Sequence, residues 1–214
     1  RIGYAVAMLD PAIGERTVQA NGLRFRVLEA GTGDRLALCL HGFPELGFSW
    51  RHQLPLLAQL GYRAWAPDLR GYGGTDRPQG LHEYALEKLM DDVAGLIDAS
   101  GAKETVLLAH DWGGVIAWHF ALRRIRPLSR LIVMNLPHPA VFERVLRSGW
   151  RQRMRSWYVL FFQIPWLPEK LLDAEIQRER GDEFAFAGLP PGSRVAVQRQ
   201  VGRMVVHLRG RFGH

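Results

Sequence analysis

"LLAHDWGGVIAW" spans Leu107–Trp118, and its reading decides the fold. An apolar run stops at His110-Asp111, passes through Gly113 and Gly114, and resumes as a second apolar run. A carboxylate between two buried segments costs several kcal/mol unless it is paired, hydrogen-bonded or put to use. One reading makes Asp111 the N-cap of a helix starting near Gly113. The other places it at the C-terminal end of a parallel strand, where α/β sheets bind their ligands.

Working outward, "ETVLLAH" (104–110) reads as a strand, "GGVIAWHFALRR" (113–124) as a helix and "LSRLIVMN" (128–135) as a further strand. On the N-terminal side, "TVQANGLRFRVLEA" (17–30) predicts two strands joined at Asn21-Gly22, a strong hairpin signal. "RLALCLHG" (35–42) is a continuous apolar run ending at glycine, the mark of a strand buried on both faces. "SWRHQLPLLAQLG" (49–61) and "YALEKLMDDVAGLIDASG" (84–101) have helical spacing and stop at glycines, and a short strand with a glycine-rich loop lies between them at 62–78. A hairpin followed by alternating strands and helices predicts an α/β fold, with a mostly parallel central sheet and an antiparallel start. After Asn135 the pattern changes to helical segments rich in Trp, Phe and Tyr. The expected organisation is a core over 1–135, a helical cap over 136–183 and an atypical Arg-rich tail over 184–214.

Composition narrows the function classes. With 47% hydrophobic and 23% charged residues in 214, the chain is globular in character. No apolar run reaches the length of a membrane span, and no signal peptide is read at the start, where Arg stands in place of Met. Cys39, on a core strand, reads as a small hydrophobe, and cytoplasm is the expected compartment. The net charge of +7 is concentrated in the tail: Phe184 to His214 carries five arginines and no Asp or Glu. The rest is nearly balanced, which argues against a nucleic-acid partner. His110 and His119 read as structural, and "HDWGG" lacks the spacing of a metal site.

The pattern Ala109-His110-Asp111-Trp112-Gly113 has the form small-x-nucleophile-x-Gly, a strand-to-helix turn so tight that its flanking residues must be small. Three further stretches bear on it: "HGFPELGFSWRHQ" (41–53), "PDLRGYGGTDRP" (67–78), and "MNLPHPAVF" (134–142) followed by "WYVLFFQ" (157–163). In this order and spacing the four motifs resemble an epoxide hydrolase of the α/β-hydrolase superfamily, over about residues 17 to 175. The resemblance implies an α/β-hydrolase fold with a helical cap, no cofactor and no metal. It implies Asp111 as the nucleophile that opens an epoxide, leaving an ester. It also implies an oxyanion hole from the backbone amides of Phe43 and Trp112, and Tyr158 as a cap donor to the epoxide oxygen. Pro44, Trp157, Phe161 and Phe162 would line a pocket for a small apolar epoxide, with water as the second substrate. Displacement at an sp³ carbon suits a carboxylate, and a phenol can donate to a nascent oxyanion at neutral pH.

Other parts of the pattern are not matched. The superfamily places the acid and histidine of its triad beyond the cap. In this sequence no Asp or Glu follows Glu183, no Tyr follows Tyr158, and Asn135 stands at an alternative acid position. The expectation is therefore a truncated or out-of-frame end after about residue 183, a sheet lacking its last strands with an exposed apolar edge, and impaired turnover. Two alternatives stay open. A haloalkane dehalogenase shares the Asp nucleophile and the Trp after it; a non-catalytic binding protein of the same fold needs no triad.

Overall fold

In a computed structural model the described residues are 10–141 and 144. The cap positions Tyr158, Trp157, Phe161 and Phe162, most of the expected cap, and the tail lie outside them.

β1 (Ile13–Ala20) and β2 (Leu23–Ala30) form the hairpin expected at Asn21-Gly22. Both turn residues have positive φ, +47° and +74°, which is the combination a two-residue primed turn requires. β3 (Arg35–Leu40), β4 (Arg63–Pro67), β5 (Glu104–His110) and β6 (Arg130–Met134) complete a six-stranded sheet in the order β1-β2-β4-β3-β5-β6. β1, β2 and β4 pair antiparallel; β4, β3, β5 and β6 run parallel.

The period-2 geometry of a strand splits the apolar runs between two cores. Leu36, Leu38 and Leu40 of β3 join Leu107 and Ala109 of β5 on one face, whereas Ala37 and Cys39 join Val106 and Leu108 on the other. Helix α1 (Gln53–Gln59) covers the second face through Leu54; α2 (Leu86–Ser100) and α3 (Trp112–Leu122) cover the first. The Cys39 thiol is wholly buried, and that burial pushes its pKa far up. β6 is one of the two edge strands among the described residues, the other being β1, and it leaves Ile132 and Met134 exposed at 44% and 37%. Among the described residues no helix is long and apolar enough to cross a membrane.

The helix expected over 49–61 is shorter. A 3₁₀ turn over Gly47–Trp50 precedes α1, which starts only at Gln53. Pro55 supplies the reason, since a proline clashes with the carbonyl four residues earlier and is tolerated only in a first turn. The C-terminal end follows the glycine signal: Gly61 (φ +81°) donates to Ala58 O and Tyr62 donates to Leu57 O, the paired bonds of a Schellman motif. α2 likewise ends at left-handed Gly101 but begins at Leu86, after a 3₁₀ turn over Leu81–Tyr84.

A buried ion pair joins α2 to the loop after β4. Arg70, 2% exposed, donates from Nε and Nη2 to both oxygens of Asp92 at 2.7 and 2.6 Å, and from Nη1 to Glu83 at 3.0 Å. Asn21 of the hairpin turn donates to the same Asp92 at 2.7 Å. Burial still leaves the Asp92 carboxyl above its ordinary range, so its charged form depends on these donors. Arg70→Met is therefore expected to strand a buried carboxylate and destabilise the fold by about 3–5 kcal/mol, read as a lower midpoint in urea unfolding. A double variant, Arg70→Met with Asp92→Leu, should recover a large part of that loss.

Candidate active site

Asp111 sits between β5 and α3 with φ +49° and ψ −120°, a conformation that non-glycine residues rarely adopt. Strain of this kind costs about 1–3 kcal/mol and persists only where the surroundings impose it. Here they are visible. A Cβ on Gly113 would lie 2.6 Å from the carbonyl oxygen of Leu40 and 2.7 Å from that of His41, so the start of α3 lies directly on the end of β3. A Cβ on Gly42 would lie 2.6 Å from Asp111 Cβ and 2.8 Å from its Oδ1. The expectation that only small residues fit around this turn holds at Gly113, and Gly42, from the facing loop, is confined in the same way.

Asp111 occupies the N-cap position of α3, and its carbonyl oxygen accepts from the amides of Gly114 and Val115 at 2.8 and 3.3 Å. Its side chain makes no cap bond. The carboxylate is turned to the loop after β3 instead, where Oδ1 accepts the Phe43 amide at 3.0 Å. The amide of Trp112 belongs to the first turn of α3, whose N–H groups have no intrahelical acceptor. The partial positive charge of that helix end favours an ionised carboxylate beside it. Phe43 and Trp112 are both half-buried and pack against the core cluster that contains Leu40, Ala109 and Ile116. Pro44, next in the loop, is exposed.

The loops around Asp111 are tied by charges that the sequence alone does not assign. Asp68, 1% exposed, accepts the amide of Gly47 on Oδ1 at 2.9 Å and that of Gly74 on Oδ2 at 3.0 Å, and it pairs with Arg26 of β2 at 3.2 Å. One carboxylate thus joins the loop after β3, the loop after β4 and strand β2. That explains why "PDLRGYGGTDRP" is more than a glycine-rich turn. Thr75 adds to it, donating from Oγ1 to the Asp68 carbonyl and accepting the Arg26 amide.

His41 is wholly buried: its Nε2 accepts the Leu69 amide at 3.0 Å, and its ring packs edge-on to Tyr72 with 4.8 Å between centroids. Burial, with the Asp111 charge second, raises the Tyr72 pKa, so its hydroxyl stays protonated. His110, read as structural, has Nδ1 at 3.3 Å from Glu45 Oε2 and Nε2 at 2.9 Å from the Asn135 amide nitrogen. Asn135, with φ +59°, turns the chain after β6, so the alternative acid position holds an amide bonded to His110. His41, Glu45 and Asp68 are the residues near Asp111 for which no sequence-based role was assigned. The available signal was their place in HGFPE and PDLRG, polar residues directly after apolar strands.

Two features lie elsewhere. A groove of about 320 Å³ is lined by Leu57, Leu60, Tyr62 and Ile132 with Arg35 and Arg130, and it includes none of the residues around Asp111. Among the described residues no three His, Cys, Asp or Glu side chains are grouped so as to hold a metal ion.

The approach of Gly42 to Asp111 makes a direct test. Gly42→Ala should push the Asp111 carboxylate off the Phe43 amide while leaving β3 and β5 paired. The expected result is a folded chain by circular dichroism in which the Phe43 amide proton loses its hydrogen-bonded chemical shift.

Comparison with known proteins bears on the fold and the family. The family model described as alpha/beta hydrolase fold matches residues 38–163, more than half of the chain. Epoxide hydrolase A of Mycobacterium tuberculosis is 39% identical over 193 residues, covering 87% of this chain and 59% of that protein. Human epoxide hydrolase 4 is 44% identical over 164 residues, covering 75% of this chain and 45% of that protein. The crystal structure of an epoxide hydrolase from Vigna radiata superposes with a TM-score of 0.68 at 29% identity, covering 94% of this chain and 73% of that one. The chain spans about half the length of the curated relatives it matches. With the sheet order and the family match in agreement, the chain belongs to the α/β-hydrolase fold family, and the relatives it resembles include epoxide hydrolases.

Proposed function

We propose that this chain carries the nucleophile and oxyanion hole of an epoxide-opening hydrolase, with Asp111 as the attacking carboxylate. The observation that carries the reading is the Phe43 amide at 3.0 Å from Asp111 Oδ1, combined with an Asp on a strained elbow and no N-cap bond from its side chain. An aspartate engaged only in helix capping would bond its own first turn.

In this reading the free Asp111 oxygen attacks an epoxide carbon. The C–O bond of the ring breaks, and the electron pair stays on the epoxide oxygen, which takes a proton from the Tyr158 hydroxyl. The product is an ester on Asp111. Water then attacks the ester carbonyl, whose developing oxyanion rests on the Phe43 and Trp112 amides; the bond from the acyl carbon to the diol oxygen breaks, and of the two protons of the water one goes to the departing diol oxygen and the other restores the Tyr158 hydroxyl. The substrate is a small apolar epoxide lying against Pro44, Trp157, Phe161 and Phe162. Detoxification of such epoxides is the role that fits this chemistry. No Asp or Glu follows Glu183 in the sequence, so the proposal includes slow release of the ester in this chain.

Incubation with styrene oxide should add one equivalent of the epoxide mass to the protein, mapped by peptide mass spectrometry to Asp111. Asp111→Asn should lose the adduct altogether, and Tyr158→Phe should slow its formation by about 10²-fold while changing binding little. Halide release from a haloalkane with no reaction on epoxides would turn the assignment to a dehalogenase. Binding of the epoxide without any adduct would leave a non-catalytic member of the fold.

A further inference from the structure

His41 and Phe43 are tied to the two sides of a single peptide group. The carbonyl of Gly42 and the amide of Phe43 belong to the peptide joining those residues, and in a trans peptide they point in opposite directions. The carbonyl lies 2.8 Å from His41 Nδ1; the amide donates to Asp111 Oδ1 at 3.0 Å. A carbonyl only accepts, so Nδ1 must carry the imidazole proton. On the far side of the ring, Nε2 accepts the Leu69 amide at 3.0 Å, so Nε2 must be bare. The two contacts agree on one neutral tautomer.

From this geometry we infer that His41 is a positioning residue: as the Nδ1–H tautomer, it holds the Gly42–Phe43 peptide with its N–H aimed at Asp111. The inference rests on the proposed role of that amide in the oxyanion hole.

The surroundings supply what the role requires. The ring is fully buried, packed edge-on against Tyr72 and anchored to the loop after β4, so it cannot swing away from the peptide. Burial holds the imidazole pKa below its ordinary value, against the smaller opposing influence of the Gly42 carbonyl, Asp68 and Glu45, and this keeps the ring neutral. The Gly42 carbonyl also accepts the Glu45 amide at 3.1 Å, within the same short turn. Among the described residues, His41 is the group that links that carbonyl to a second loop. An oxyanion-hole donor is effective because its direction is set before charge develops, and a peptide free to rotate would lose that advantage.

Two replacements separate the functions of the ring. In His41→Asn the side-chain amide can still donate from the δ position to Gly42, but the acceptor for Leu69 is lost. In His41→Gln an oxygen can still accept from Leu69, but the δ donor is lost. With the full chain and styrene oxide as probe, His41→Gln should lower the rate of Asp111 alkylation by about 10²-fold and move the Phe43 amide proton upfield, whereas His41→Asn keeps both within several-fold of the parent. Nitrogen NMR of the parent should show His41 with Nδ1 protonated and Nε2 bare. Equal behaviour of the two variants, with the Phe43 shift unchanged in both or lost in both, overturns the inference, as does an Nε2–H tautomer. If the parent chain itself forms no adduct, the nucleophile assignment fails, and the amide shift and tautomer still decide the role of His41.

Discussion

The start of α3 touches the end of β3, and the rest of the site depends on that approach. Gly113 lies so close to the carbonyls of Leu40 and His41 that no side chain fits there. Because β3 and β5 are parallel neighbours, with Leu40 opposite Ala109, their following loops emerge side by side. Closing the gap between them brings Asp111 under the Gly42–Phe43 peptide. The positive φ of Asp111 is the local cost, and the helix end and the Phe43 amide offset the charge it carries.

A second constraint keeps the loops from drifting apart. These loops bury apolar groups such as Leu69 and Tyr72, and buried polar groups fix their positions further. Asp68 takes amides from two loops and a guanidinium from β2, while Arg70 is bound by Asp92 and Glu83. Such pairs add little net stability over apolar packing of the same volume, but breaking one leaves a buried charge alone. Their evident contribution is to define loop geometry around the carboxylate that faces Phe43.

Much of this was legible in the sequence where periodicity or turn chemistry dominates. The hairpin at Asn21-Gly22, the buried strands around Ala37 and Leu107, and the stop at Gly101 follow from local rules, and the elbow at Asp111 from its small neighbours. The helix near 49–61 was overextended because its apolar spacing hid Pro55, whose steric effect outweighs periodicity. The polar residues around the site were not legible in the same way. Asp68, His41 and Glu45 act on partners from other elements, with Asp68 bonding Gly47 and Gly74 and His41 bonding Leu69. No local pattern encodes a contact 28 residues away.

The resting hydrogen bond bears on how the proposed chemistry would begin and end. Phe43 N–H is already bonded to one oxygen of Asp111, which leaves the other oxygen to attack. Once that second oxygen is alkylated, the oxygen bonded to Phe43 becomes the carbonyl oxygen of the ester. Attack by water then places the developing negative charge on the same atom. In the proposed reaction the donor therefore need not move between steps: one amide would orient the nucleophile, polarise the ester and meet the oxyanion. A donor that stays in place requires no reorganisation when charge develops, which is the main source of its catalytic effect. In that proposal, whatever fixes the direction of the Phe43 amide would act on both halves of the reaction, and the buried ring of His41, 2.8 Å from the Gly42 carbonyl, is placed to do so.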